Sequence, residues 1–208
     1  MNAAFGSVIG ASEAERRDLF LGTAARLGTA VQLVEKDYWV CWTLDALFNG
    51  LSDGGPRLLF KGGTSLSKSF GLISRFSEDI DVTVFRDDLG VGASVEELEA
   101  MTRKKRGARL DAIKAACQAY IAGEMRAGLA DIIGSLVRNA GLTDSRFRVE
   151  LDPDDPDGQS LLLWYLTVVA RPEDYVRSAQ ALGGDGSDPG SRLRGDVRDD
   201  LRRSSGVR

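Results

Sequence analysis

An α+β fold, a small mixed sheet flanked by helices, follows from three features of this 208-residue sequence. Apolar residues recur at helical spacing through Val31, Val34, Tyr38, Cys41 and Trp42, and Ser94 to Asn139 is rich in Ala, Leu, Glu, Lys and Arg. Short apolar runs end in Gly, Asp and Pro clusters, as strands do. Acidic and apolar residues alternate at Asp79, Ile80, Asp81 and Val82, the period of a half-buried strand.

The elements follow in order. Ser12, three residues before Glu15, forms a capping box that opens a helix to about Leu27. A second helix runs from about Ala30 to Phe48, with Trp39 and Trp42 as core packing. Arg57 to Lys61 reads as a strand, residues 64 to 72 as a short helix, and Ile80 to Phe85 as a second strand. Ser94 to Asn139 reads as one or two helices broken near Gly107. Arg146 to Leu151 and Leu161 to Val169 read as strands joined by the turn-rich segment Asp152 to Gly158. The chain divides into N-terminal helices over 1–50, a core over 51–177, and a Gly/Asp/Arg/Ser-rich tail over 178–208 that reads as disordered or weakly helical.

The chemistry concentrates in residues 58–82. Gly62 and Gly63 follow the apolar run Leu58 to Phe60 after Lys61, and only glycine lets a backbone leave a strand sharply and approach a phosphate closely. Thr64 and Ser65 open the next helix, either capping it or donating to a phosphate. Asp79 and Asp81 fall on one face of their strand, where paired carboxylates suit Mg²⁺, a hard cation that shares its coordination with substrate phosphates. Strand-end acids on a solvated face are the plainer reading of that pair. Lys61 is a surface lysine or a triphosphate contact, and Lys68 and Arg75 are ordinary exposed cations or phosphate contacts.

These residues resemble the nucleotidyltransferase superfamily, and within it the AbiEii/AbiGii toxin family. The resemblance rests on Lys61-Gly-Gly-Thr-Ser-Leu66, Arg75-Phe-Ser-Glu-Asp-Ile-Asp81 and the upstream phrase Val34-Glu-Lys-Asp-Tyr-Trp-Val40. It covers roughly residues 30–85 well, with weaker echoes at Tyr165 and at Tyr175-Val176-Arg177. It implies a nucleotidyltransferase-like core and Mg²⁺-dependent transfer of a nucleotide from an NTP to an RNA acceptor such as tRNA. It also implies a cognate antitoxin as partner. Asp79 and Asp81 would be the metal ligands, and Lys61, Gly62, Gly63, Thr64 and Ser65 the nucleotide-binding turn. Glu35-Lys36-Asp37 reads as a structural helix turn whose charges pair with the nucleotide-site loop, or as a direct contact.

Superfamily members use a third carboxylate to help activate the attacking hydroxyl. Here Glu150, between Val149 and Leu151, has the required apolar-acid-apolar setting. The strand, acid and Arg-Asp phrase that relatives carry after Tyr-Val-Arg are not found beyond Arg177, which suggests a frameshift or truncation and leaves a catalytically silent NTP- or partner-binding relative as the alternative. A protein-interaction module without a nucleotide role is a third reading.

Composition narrows the chemistry. Histidine is absent, which excludes Ser-His-Asp and Cys-His triads, His-ligated zinc and a histidine base. The net charge of −4 argues against nucleic-acid binding through the overall field, though Arg103-Lys104-Lys105-Arg106 is a local basic run, either a solvated helix face or a grip on RNA. Cys41 and Cys117 lack metal or redox spacing and read as reduced core residues. No stretch has the length and apolarity of a transmembrane helix or secretory leader, so a cytoplasmic enzyme without membrane partners is expected.

Overall fold

The computed structural model describes residues 1–71, 79–142 and 147–169 in full and residues 188–196 by backbone. The expected capping box sets the first long helix. Ser12 Oγ accepts from the backbone N–H of Glu15 while Glu15 returns the contact to the Ser12 N–H, opening α2 (Glu13–Leu27), which stops at Gly28 with φ +65°. Before it lies α1 (Ala3–Gly10), capped by Asn2 and not anticipated from the sequence. After it runs α3 (Val31–Asn49), whose buried residues include Glu35, Trp39, Val40, Trp42 and Thr43.

Strand β1 (Leu58–Lys61) passes directly into the short helix α4 (Gly62–Lys68). Strand β2 (Ile80–Val84) returns antiparallel to β1, pairing Lys61 with Asp81 and Phe60 with Val82. Its alternation is as expected: Ile80, Val82 and Val84 are buried, with Asp81 and Thr83 half-buried between them.

The helical region breaks differently from the expectation. A capping box at Ser94 opens α5 (Val95–Ala100), and α6 (Arg103–Tyr120) starts at its cap Thr102, with Gly107 inside it. The break falls where Thr102 captures the Lys105 N–H, because a glycine inside a helix costs only about 1 kcal/mol and does not by itself end one. A π-helical turn, Ile121–Met125, joins α6 to α7 (Arg126–Asn139).

Strands β3 (Arg148–Leu151) and β4 (Ser160–Tyr165) form the expected antiparallel pair across the 152–158 turn. The fifth strand corrects the reading of the tail: β5 (Asp188–Asp196) inserts between β2 and β4, parallel to the first and antiparallel to the second. Its Arg192-Leu193-Arg194 alternation was hidden by a Gly/Asp-rich composition. The order β1-β2-β5-β4-β3 makes the sheet mixed, and the fold is α+β as expected.

One apolar cluster joins Ile80, Val82 and Val84 of β2, Leu161, Leu163 and Tyr165 of β4, Trp39 and Trp42 of α3, and Ile121 to Val137 of the α7 region. The Trp39 ring stacks on Tyr165, with centroids 4.8 Å apart and planes 20° apart, and meets Trp42 edge-on at 5.9 Å. Both tryptophans are core residues, as expected. Cys117 is buried and Cys41 half-buried, and neither is in a disulfide.

Candidate functional site

The β1–α4 turn and the start of β2 form one unit. Gly62 adopts φ +74°, the left-handed region that glycine enters without penalty. A Cβ at this position would collide with the Asp81 carboxylate, lying 2.9 Å from its Cγ and 3.0 Å from its Cβ, so residue 62 must be glycine for Asp81 to sit where it does. Lys61 is the cross-strand partner of Asp81 and lies on the same sheet face. Asp79 directly precedes β2, and the buried Ile80 between the two acids fixes the opposite face as apolar.

The two hydroxyls of the turn face inward. Thr64, 1% exposed, donates from Oγ1 to the backbone carbonyl of Asp79. Ser65, 5% exposed, donates to the Gly62 carbonyl at 2.8 Å, and Ser67 donates to the Thr64 carbonyl at 3.0 Å. The glycine turn and the carboxylate strand are therefore tied together by a backbone cradle and by a buried hydrogen bond.

The Glu35-Lys36-Asp37 turn of α3 reaches this unit through Asp37. Asp37 forms an ion pair with Lys68 at the end of α4. Glu35, buried, accepts from the Thr167 hydroxyl and from the Val168 N–H at 2.8 Å. Lys68 is thus engaged with Asp37, while Arg75 and the Tyr175-Val176-Arg177 phrase lie outside the described residues.

Glu150 is a correction. It sits on β3, at the far edge of the sheet from β1, with β4 and β5 between it and β2. Three strand spacings amount to about 14 Å, too far for a shared coordination sphere. Its carboxylate instead meets Arg148 at 3.1 Å. The strand beside β2 is β5, whose register sets Arg194 against Asp81 and Asp196 against Thr83. Neither position was legible, because the pairing of β5 is non-local and its short Arg192-Leu193-Arg194 alternation is hidden in a Gly/Asp-rich composition.

Two acidic oxygen donors without nitrogen or sulfur ligands suit a hard cation, and the glycine cradle leaves the Asp81 carboxylate the space to present itself. Among the described residues no group of three or more His, Cys, Asp or Glu side chains gathers at one point. The basic run opens α6, with Arg103, Lys104 and Lys105 exposed. Cations in a first helical turn oppose the helix dipole, so helix stability does not account for them.

The family model of the nucleotidyl transferase AbiEii toxin of type IV toxin–antitoxin systems matches residues 45–177, more than half of the chain, and spans the glycine turn, both aspartates, β3 and β4. The chain belongs to the AbiEii toxin family. No curated protein and no solved structure matches it. The match ends at residue 177, where the composition turns to Gly, Asp, Arg and Ser. Membership makes this AbiEii-family chain a nucleotidyltransferase-type toxin and implies an antitoxin partner. No helix among the described residues is long and apolar enough to cross a membrane.

Proposed function

We propose that this AbiEii-family chain transfers a nucleotide from a Mg²⁺-bound NTP to an RNA hydroxyl, with tRNA as the favoured acceptor class. The observation that carries the reading is the close approach of Gly62 to Asp81, which presents a carboxylate face directly beside a glycine turn. Asp79 and Asp81 would hold Mg²⁺, which supplies charge neutralisation on the triphosphate. Lys61, opposite Asp81, adds a positive charge on that same face, and the Gly62-Gly63 backbone lets the phosphates approach closely. The acceptor hydroxyl oxygen attacks the α-phosphorus in line, its proton passing to solvent as the new P–O bond forms, and the bond to the bridging oxygen breaks as pyrophosphate leaves. The exposed Arg103-Lys104-Lys105 turn supports an RNA acceptor as a phosphate grip.

Incubation with labelled NTPs and total RNA tests the proposal. Mg²⁺-dependent label in RNA that disappears in both Asp79→Asn and Asp81→Asn is the expected result; label that survives both substitutions rejects it. A second reading, an NTP binder without turnover, is favoured by the pair of acids standing without a third among the described residues. Saturable Mg·NTP binding with no product identifies that case.

A further inference from the structure

We infer that Thr64 is a positioning residue for Asp79, and that the Gly62-to-Thr64 turn acts as a template setting both carboxylates rather than presenting its hydroxyls to a phosphate. The inference rests on the proposed metal role of Asp79 and Asp81. Thr64 is the third residue of α4 and is almost wholly excluded from solvent at 1% exposure. Its only hydroxyl proton goes to the carbonyl of Asp79, 15 residues later, across the whole connection between α4 and β2. A threonine hydroxyl has one proton to give, so Thr64 cannot donate to a substrate phosphate while this bond is made. Ser65 is similarly committed to Gly62 and also buried.

The consequence is geometric. The backbone of Asp79 is the point where the chain enters β2, and the next residue, Ile80, is locked in the core. With the Asp79 carbonyl held by Thr64 on one side and Ile80 anchored on the other, the peptide plane of residue 79 is fixed and the carboxylate leaves it in a set direction. Gly62 acts on the other acid, because only its missing Cβ lets Asp81 take its place. One turn therefore registers two acids that lie 17 and 19 residues further along the chain than Gly62. Groups that orient metal ligands in this way alter affinity about 10–100-fold when removed.

Mn²⁺ titration of the full chain, read by loss of the free-ion electron paramagnetic resonance signal, tests this without any turnover. The wild type is expected to bind and Asp79→Asn to lose binding. Thr64→Val, equal in shape but without the hydroxyl, is expected to weaken binding by at least about ten-fold while Thr64→Ser stays near wild type. Thr64→Val binding as tightly as wild type overturns the positioning role and leaves the proposed function standing. A wild type indistinguishable from Asp79→Asn overturns both. Should Thr64→Val lose its fold by circular dichroism, Thr64→Ala read against Thr64→Ser decides: affinity lost in Thr64→Ala and retained in Thr64→Ser assigns the role to the hydrogen bond, and equal affinity in the two rejects the inference.

Discussion

Glu35 and Thr167, 132 positions apart in the chain, meet in the interior, where the carboxylate of α3 accepts the hydroxyl of the segment that leaves β4. Val168 adds its N–H at 2.8 Å to the same carboxylate, and Arg17 of α2 donates to the Val168 carbonyl at 2.8 Å. Two residues further along α3, Asp37 pairs with Lys68 of α4. A single helical turn thus holds the exit of β4 through one acid and the helix α4 through the other.

Removing the Glu35 carboxylate strands two buried donors. Each unsatisfied buried group costs about 1–3 kcal/mol, so Glu35→Ala is expected to destabilise the fold by about 2–6 kcal/mol. Urea melts of the variant against wild type measure this. An unchanged midpoint shows that the Thr167 and Val168 groups find water instead. Asp37→Ala, which breaks only a partly exposed ion pair, is expected to cost about 0–1 kcal/mol.

The sheet order separates Glu150 from the carboxylate pair. Nucleotide labelling of RNA is expected to fall below detection in Asp79→Asn and Asp81→Asn and to stay within about two-fold of wild type in Glu150→Gln, whose removal costs only a surface ion pair with Arg148. A hundred-fold loss in Glu150→Gln would contradict the placement of β3 at the far edge.

Cys41 titrates above the usual thiol range, because burial pushes it up most, with Asp37 adding to the shift and Lys68 opposing it. It lines an open cavity of about 540 Å³ together with Leu44, Phe48, Phe60 and Lys68, so reagents reach it. The thiolate is the nucleophile, so alkylation by iodoacetamide is expected to be slow at pH 7 and to accelerate as pH rises. Lys68→Ala removes the one opposing charge and is expected to slow it further, whereas Asp37→Asn is expected to speed it. Peptide mass spectrometry follows each rate, with the buried Cys117 as the internal reference.

Asp155, in the turn between β3 and β4, carries a carboxyl below the usual range. Burial alone raises it, but hydrogen bonds from the Ser160 side chain and from the backbone N–H groups of Asp157, Gln159 and Ser160 outweigh that effect. A folded-state pKa below the unfolded value means that this stabilisation is complete above the unfolded carboxyl pKa of about 3.9 and is lost as pH falls through the folded value. Acid titration of stability, from pH 5 downward, is expected to be shallower in Asp155→Asn than in wild type. Parallel curves would show that the turn's hydrogen bonds persist when Asp155 is protonated.

Local signals were legible without the structure. Ser12 and Glu15 announce a helix start through their own side chains, the Gly62-Gly63 pair announces a turn because glycine alone enters the left-handed backbone region without penalty, and the acid-apolar alternation from Asp79 to Val82 names its own faces. Trp39 and Trp42 fall on the buried face of α3 by helical period alone. These determined the α+β class, the strand that carries Asp81 and the family phrases.

Partner-dependent features came only from the tertiary structure. The ends of α6 depended on the Thr102 cap winning over Gly107, and α1 on its contact with α3, where Tyr38 donates to the Phe5 carbonyl at 2.9 Å. Strand β5 exists by pairing with β2 and β4, which its composition does not foretell. The fate of Glu150 turned on strand order, a non-local quantity: its apolar-acid-apolar setting is the same whether the strand lies beside Asp81 or at the opposite edge. The inward turn of Thr64 was equally hidden, since a hydroxyl at a helix start can serve a cap, a phosphate or a neighbouring carbonyl, and only the packing of α4 on β2 selects the last.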